Sequence, residues 1–220
     1  MDTSGADAGS VSGAGAAGSA GGLGNFFLKK FSMANKYIRI VGGQYRRTPI
    51  AVADVAGLRP TPDRVRETLF NWLRHFWQDR FEGKSVLDLF AGSGALGFEA
   101  ASHGVAHVQM VERDRSALAG LRAVRDKLQA DHVRIHAGDA LEVLERMDAT
   151  RYDLVLLDPP FGKDWLSRVW PLLPQVLAPE ALVYVESEAP VAFPAGFEVL
   201  RQDKAGAVHY HLARFAALRK

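Results

Sequence analysis

Ser85-Val86-Leu87-Asp88-Leu89-Phe90-Ala91-Gly92-Ser93-Gly94-Ala95-Leu96-Gly97 is the stretch on which the fold turns. Its first half is an apolar run that predicts a strand over residues 85–90, and its second half opens a helix over 95–102. Between them, glycines let a ligand approach the backbone, and the helix start offers unpaired N–H groups. Working outward, the same rhythm repeats. Strands are predicted at 108–111, 133–136, 154–157 and 182–186, with helices at about 115–128, 140–147 and 164–177. Nearly all-apolar strand runs read as strands buried on both faces, the mark of a parallel sheet in an α/β fold. The tail differs: residues 197–202 and 208–215 flank Ala205-Gly206 and predict an antiparallel hairpin at the end of the sheet.

Upstream, residues 37–41 end at Gly42-Gly43, and 44–52 form a second extended stretch. Together they predict a small hairpin carrying Arg39, Arg46 and Arg47. In Leu58-Arg59-Pro60-Thr61-Pro62-Asp63, Thr61 suits an N-cap, Pro62 the first helical position, and Asp63 complements the dipole. The helix should run to about Trp77, with Val65, Leu69, Trp72, Leu73 and Phe76 on one apolar face. Before Lys36 the chain is different. Eighteen of the first 24 residues are Gly, Ala or Ser, too little apolar area to offset ordering entropy, so disorder is expected. Met33 then stands as a candidate native start, with the preceding residues an extension. Three segments follow: 1–35 as that extension, 36–80 as a basic hairpin and helix, and 81–220 as the main domain.

Composition bounds the function. At 220 residues, 48% hydrophobic and 24% charged, the chain reads as one ordinary globular domain with appendages. The absence of cysteine excludes disulfides, zinc–thiolate sites and thiol nucleophiles. No apolar stretch reaches the roughly 18 residues a membrane span needs. Between Lys36 and Arg80 stand nine Lys/Arg against four acids, while the rest of the chain is net negative. That separation suits a polyanion such as nucleic acid, although a solvated helix with ordinary surface arginines would read the same.

Two motifs carry chemistry. The first is the turn Asp88, Phe90, Ala91, Gly92, Ser93, Gly94, joined by Glu112 at the end of the next strand. A carboxylate there can accept from two ribose hydroxyls. A tight strand–helix turn with a capping acid is the plainer alternative. Gly92, Gly94 and Gly97 also fit a dinucleotide spacing. The acid Asp88 before the loop, however, sits badly with a pyrophosphate and well with the ammonium of a methionine moiety. Asp139, followed by Ala140, could accept from an adenine amino group or merely cap a helix. The second motif, Asp158-Pro159-Pro160-Phe161, follows the fourth strand, where an open α/β sheet has its ligand crevice. The amino group of a nucleobase is a poor nucleophile because its lone pair is delocalised into the ring. It needs acceptors that hold both N–H bonds, and the Asp158 carboxylate and Pro159 carbonyl can supply them. Two prolines restrict that carbonyl's direction, and Phe161 can stack on the base. His209 and His211 share a strand face without a third ligand at metal spacing, so no metal is expected.

In this order, the motifs resemble the class I methyltransferase fold. More fully, residues 38–43, 58–73, 87–97, 158–161 and 184–188 resemble the bacterial 16S ribosomal RNA guanine-N2 methyltransferase family (RsmD-like), over a span from about Lys36 to the C-terminus. Residues 59–73 are the specific part, since many methyltransferases share the rest. The resemblance implies a Rossmann-like, mostly parallel seven-stranded sheet with an antiparallel C-terminal hairpin strand and helices on both faces. It implies S-adenosyl-L-methionine as cofactor, held by Asp88, Gly92 and Gly94 at the methionine end, Glu112 at the ribose and Asp139 at the adenine edge. Asp158, Pro159 and Phe161 would present the guanine. Arg59 and Thr61 would lie near cofactor or target, and Arg39, Arg46, Arg47 and Arg64 would meet RNA phosphates. The partner implied is 16S ribosomal RNA or an assembling small subunit, and the protein a cytoplasmic monomer. The rivals are an adenine-N6 methyltransferase on DNA or RNA, a dinucleotide-dependent oxidoreductase, and a non-catalytic RNA-binding module of the same fold.

Overall fold

A computed structural model describes residues 37–52, 61–147 and 149–216. The elements run β1 (Tyr37–Arg39), β2 (Pro49–Ala51), α1 (Asp63–Trp77), β3 (Ser85–Asp88), α2 (Ala95–Ser102), β4 (His107–Glu112), α3 (Arg115–Leu128), β5 (Val133–Ala137), α4 (Ala140–Arg146), β6 (Tyr152–Leu157), α5 (Trp165–Val169), β7 (Leu177–Ser187), β8 (Phe197–Ala205) and β9 (Val208–Phe215). The expected extension over 1–35, Met33 as a start, and Arg59 lie outside the described residues.

Seven strands form one sheet in the order β5-β4-β3-β6-β7-β9-β8, and β1 and β2 pair separately. β3, β4, β5, β6 and β7 are parallel, while β9 runs antiparallel to both β7 and β8. Successive residues of a strand point to opposite faces, and both faces are covered. Leu154, Leu156, Leu182 and Tyr184 pack with Val65 and Leu69 of α1, Phe98 of α2 and Leu121 of α3. Their neighbours Val155, Leu157, Val183 and Val185 pack with Leu141 and Leu144 of α4 and with Val169 of α5. This is why the strand runs lack polar alternation.

Three expectations need correction. Residues 44–47 turn instead of running extended: Gln44 N donates to the Ser102 carbonyl at 2.8 Å and Tyr45 N to Ser102 Oγ at 2.9 Å, while Arg46 N and Arg47 N turn back to the carbonyls of Gly43 and Ile40. The helix expected over 164–177 stops after Val169. Pro171 and Pro174 lack the N–H that would continue it, a single 3₁₀ turn, Leu173–Gln175, follows, and β7 begins already at Leu177. Thr61 does not cap α1: Pro62 precedes the helix with ψ 148° and no side-chain cap, and the Thr61 hydroxyl is used elsewhere.

The basic hairpin is fastened to the sheet domain. Glu99 of α2, buried, accepts from Val41 N at 2.9 Å and Gly42 N at 2.6 Å. Buried Arg66 of α1 lies 3.6 Å from Glu99, and donates to the carbonyls of Arg39 and Thr61 at 2.6 and 2.7 Å.

Candidate active site

The sheet winds away from β3 in both directions, with β4 on one side and β6 on the other. Such a reversal opens a crevice beyond the carboxyl ends of the two central strands. A cavity of about 260 Å³ lies at that point. Asp88, Phe90, Ala91, Gly92 and Ser93 after β3 line it, as do Glu112, Asp139 and Ala140. Asp158, Pro159 and Phe161 line it from the end of β6. The two motifs picked from sequence therefore share one cavity. Gly94 is not in its wall but shapes the turn. It takes φ 79°, and a Cβ there would fall 2.5 Å from Leu121 Cδ2 and 2.7 Å from the Phe98 ring, so no other residue fits.

On the β3–β4 side the acids are tied to backbone. Asp88 is buried and accepts from Gly97 N at 3.0 Å. Burial pushes its carboxyl up to about 7; the Gly97 N–H opposes this, and the Glu112 carboxylate adds to it. Glu112 accepts from Gly92 N through Oε2, and from the N–H groups of Arg113 and Asp114 through Oε1, each at 2.8 Å. Asp139 combines both readings offered for it: Oδ1 caps α4 by accepting from Leu141 N at 3.0 Å, while the residue borders the cavity. Phe90 meets Trp165 edge to face at 5.5 Å, giving an apolar wall.

On the β6–β7 side the acids crowd one another. Thr61 Oγ1 donates to Glu186 Oε1 at 2.9 Å and lies 3.4 Å from Asp158 Oδ2. Tyr184 Oη donates to the same Glu186 oxygen at 2.9 Å. Asp158 keeps part of its surface toward the cavity, yet enough protein surrounds its carboxyl that burial holds it well above the usual carboxylate range, with the Glu186 and Asp88 carboxylates pushing the same way. Burial also raises Glu186, against the hydroxyls of Thr61 and Tyr184 and the positive charge of Arg66. That guanidinium is already engaged with Glu99 and Asp63. Five acids, Asp88, Glu112, Asp139, Asp158 and Glu186, line the cavity against one arginine, Arg113, which sits 3.4 Å from Asp139, so the acceptors are in excess and fit a cationic ligand.

Two contributors escaped the sequence reading. Glu186 ends an apolar strand, as Glu112 does, and that signal was available. The β8–β9 hairpin tip, 205–208, lines the cavity from far along the chain, and nothing local announces it. Of the residues expected to meet phosphate, Arg46, Arg47 and Arg64 are exposed and none lines the cavity. Arg39 is also exposed and sits 3.7 Å from Asp63. Among the described residues, no group of His, Asp or Glu is arranged to hold a metal, and no helix is long and apolar enough to cross a membrane.

The family model described as Conserved hypothetical protein 95 matches residues 38–214. The ribosomal RNA small subunit methyltransferase D of Escherichia coli K12 is 42% identical over 180 residues, covering 80% of this chain and 88% of that one. The chain belongs to the ribosomal RNA small subunit methyltransferase D family. Its Haemophilus influenzae member is 35% identical over 194 residues, covering 84% of this chain and 98% of that one. A solved structure, the Escherichia coli protein yhhF, superposes with a TM-score of 0.73 at 40% identity, covering 83% of this chain and 99% of that one. Membership in the methyltransferase D family agrees with the Rossmann-like class I architecture and sets the oxidoreductase reading aside.

Proposed function

We propose that this chain transfers the methyl group of S-adenosyl-L-methionine to the exocyclic N2 amine of a guanine in 16S ribosomal RNA, free or in the assembling small subunit. The observation that carries this reading is the single cavity shared by the Asp88–Gly94 turn and the Asp158–Phe161 turn. S-adenosyl-L-methionine, when bound, supplies an electrophilic methyl on a positively charged sulfur, together with an ammonium group. Asp88 would face the ammonium, with Gly92 and Ser93 as the close-approach backbone and Gly94 holding the turn that presents them. Glu112 would hold the ribose hydroxyls through the lone pairs its backbone donors leave free. Asp139 would meet the adenine edge, flanked by Phe90, Ala91 and Ala140.

Asp158 and the Pro159 carbonyl accept the two N–H bonds of the target amine and turn its lone pair toward the methyl, and Phe161 stacks on the base; as the N–CH3 bond forms and the S–CH3 bond breaks, leaving a neutral thioether, the proton the amine sheds would pass to the Asp158 carboxylate. Positive charge inside the cavity favours the ionised form of the acids around it. Filling the cofactor site therefore favours the carboxylate form of Asp158. Residues 36–80 form the RNA-facing part, on which Arg39, Arg46, Arg47, Arg59 and Arg64 neutralise phosphates, and 81–220 the cofactor-binding domain. The protein works as a cytoplasmic monomer, without a metal. To test this, the protein is incubated with methyl-labelled S-adenosyl-L-methionine and undermethylated small subunits, and the modified nucleotide is mapped. Label in N2-methylguanine is expected. Label on an adenine N6 would establish the rival, and no transfer would sink the reading.

A further inference from the structure

The reaction assigned above needs Asp158, but Asp158 alone does not distinguish guanine from adenine, since Asp-Pro-Pro-aromatic turns suit any exocyclic base amine. The cavity holds a second carboxylate beside it. Glu186 is 3% exposed, stands at the end of β7 next to β6, and lines the cavity. Thr61 Oγ1 and Tyr184 Oη both donate to Glu186 Oε1, and Oε2 makes no hydrogen bond among the described residues. The side chain is therefore pinned through one oxygen while the other stays available. Thr61 also links it to Asp158, its Oγ1 lying 3.4 Å from Asp158 Oδ2. Two acceptors stand side by side.

The Watson–Crick edge of guanine presents two neighbouring donor groups, N1–H and the N2 amine. Adenine presents an N6 amine beside a bare N1 lone pair. Building on the guanine-N2 reading, we infer that Glu186 Oε2 accepts the N1–H of the target guanine while Asp158 and the Pro159 carbonyl hold its N2 amine, so that Glu186 selects guanine. A base lacking N1–H places its N1 lone pair against a buried carboxylate, which leaves both acceptors unpaired. Sites built to hydrogen-bond a substrate group reject analogues that lack it far more strongly than apolar pockets reject a change in size. Thr61 and Tyr184 are positioning residues in this arrangement: they fix which oxygen of Glu186 faces the base.

The test compares RNA substrates carrying guanine, or 2-aminopurine at the same position. 2-Aminopurine keeps the N2 amine but has a lone pair in place of N1–H. The wild-type chain should prefer guanine by kcat/KM. Glu186→Gln preserves an oxygen for Thr61 and Tyr184 and turns an amide N–H toward the base. It should lower kcat/KM for guanine by roughly 10- to 100-fold, the worth of a hydrogen bond to a charged group, and shrink or reverse the preference over 2-aminopurine. Titration with S-adenosyl-L-methionine should give wild-type affinity in the variant. An equal loss on both bases, an unchanged preference, or a tenfold weaker cofactor affinity would each overturn the assignment. If the wild-type chain leaves small-subunit guanine unmethylated, the fault lies instead in the function proposed above. Thr61→Ser, which retains the hydroxyl, should keep the preference that Thr61→Val loses.

Discussion

Among the described residues, two acid clusters, one around Glu99 and one around the cavity, are built in opposite ways. Glu99 is surrounded by what a carboxylate requires: two backbone N–H groups at 2.9 and 2.6 Å and a buried guanidinium at 3.6 Å. Asp88, Asp158 and Glu186 line a cavity with a few backbone and hydroxyl donors and, among the described residues, no ion pair of their own, and burial raises all three carboxyls. A buried charge given its partners by the fold acts as a fastener, and here it ties β1, α1 and α2 together. A buried charge without them is a standing demand for a ligand. Partners, and not burial, separate the acids of the scaffold from those of the chemistry.

The sharpest way to break this comparison is to remove one acid from each cluster. Asp158→Ala should lower methyl transfer on the order of 10³-fold or more, since an acceptor aimed at the reacting group is lost. Cofactor affinity by calorimetry and the unfolding midpoint should stay near wild type. A variant that still methylates small subunits at full rate would end the assignment. Glu99→Ala should do the reverse. It takes the acceptor from Val41 N and Gly42 N and leaves Arg66 with Asp63 in place of a buried carboxylate, and breaking a buried pair from one side costs about 3–5 kcal/mol. Urea unfolding would register that loss. If Asp158→Ala proved the more destabilising of the two, the division between fastener and ligand site would fail.

Much of this was legible in the sequence, for reasons tied to particular residues. Asp88 through Gly97, Glu112 and Asp158 through Phe161 were found because strand-end acids and glycine or proline turns announce themselves within a few residues. The parallel sheet was legible from strands with no polar face, such as Leu154-Val155-Leu156-Leu157. What stayed hidden was set by contacts across long separations. Thr61 looks like a helix cap until Glu186, 125 positions later, takes its hydroxyl. Residues 44–47 look extended until Ser102 claims the N–H groups of Gln44 and Tyr45. The hairpin tip at 205–208 reaches the cavity only because β9 pairs with β7.

The comparison is sharpened further by pH. Asp88 sits at about 7 in the fold against an ordinary 3.8. The folded state therefore holds this proton over a range where the unfolded chain has released it. Its contribution to stability is complete below about pH 3.8 and is lost as pH rises toward 7. The slope is about 1.4 kcal/mol per pH unit from this one group. Asp88→Asn, which cannot titrate, should flatten the stability curve between pH 4 and 7 relative to wild type without cofactor. By the same linkage, wild-type affinity for S-adenosyl-L-methionine should climb from pH 6 to 8 as Asp88 ionises, and Asp88→Asn should lose that dependence. Parallel curves for the two proteins would mean that Asp88 is not the group that titrates.

The smallest effects belong to charges in neither cluster. Arg46 and Arg47 are exposed at the hairpin turn, so replacing either with Ala should change stability by no more than about 0.5 kcal/mol. Their role, if they meet phosphate, is read in salt. Each releases a counterion on binding, and its loss should reduce the slope of log affinity against log salt by about 1. The hairpin that presents them is held by Glu99 and Arg66, so Glu99→Ala should diminish the same slope by loosening the platform, with both arginines still present. Filter binding of small-subunit RNA across a salt series decides it. A slope that survives loss of both arginines and of Glu99 would place the RNA grip on another face of the molecule.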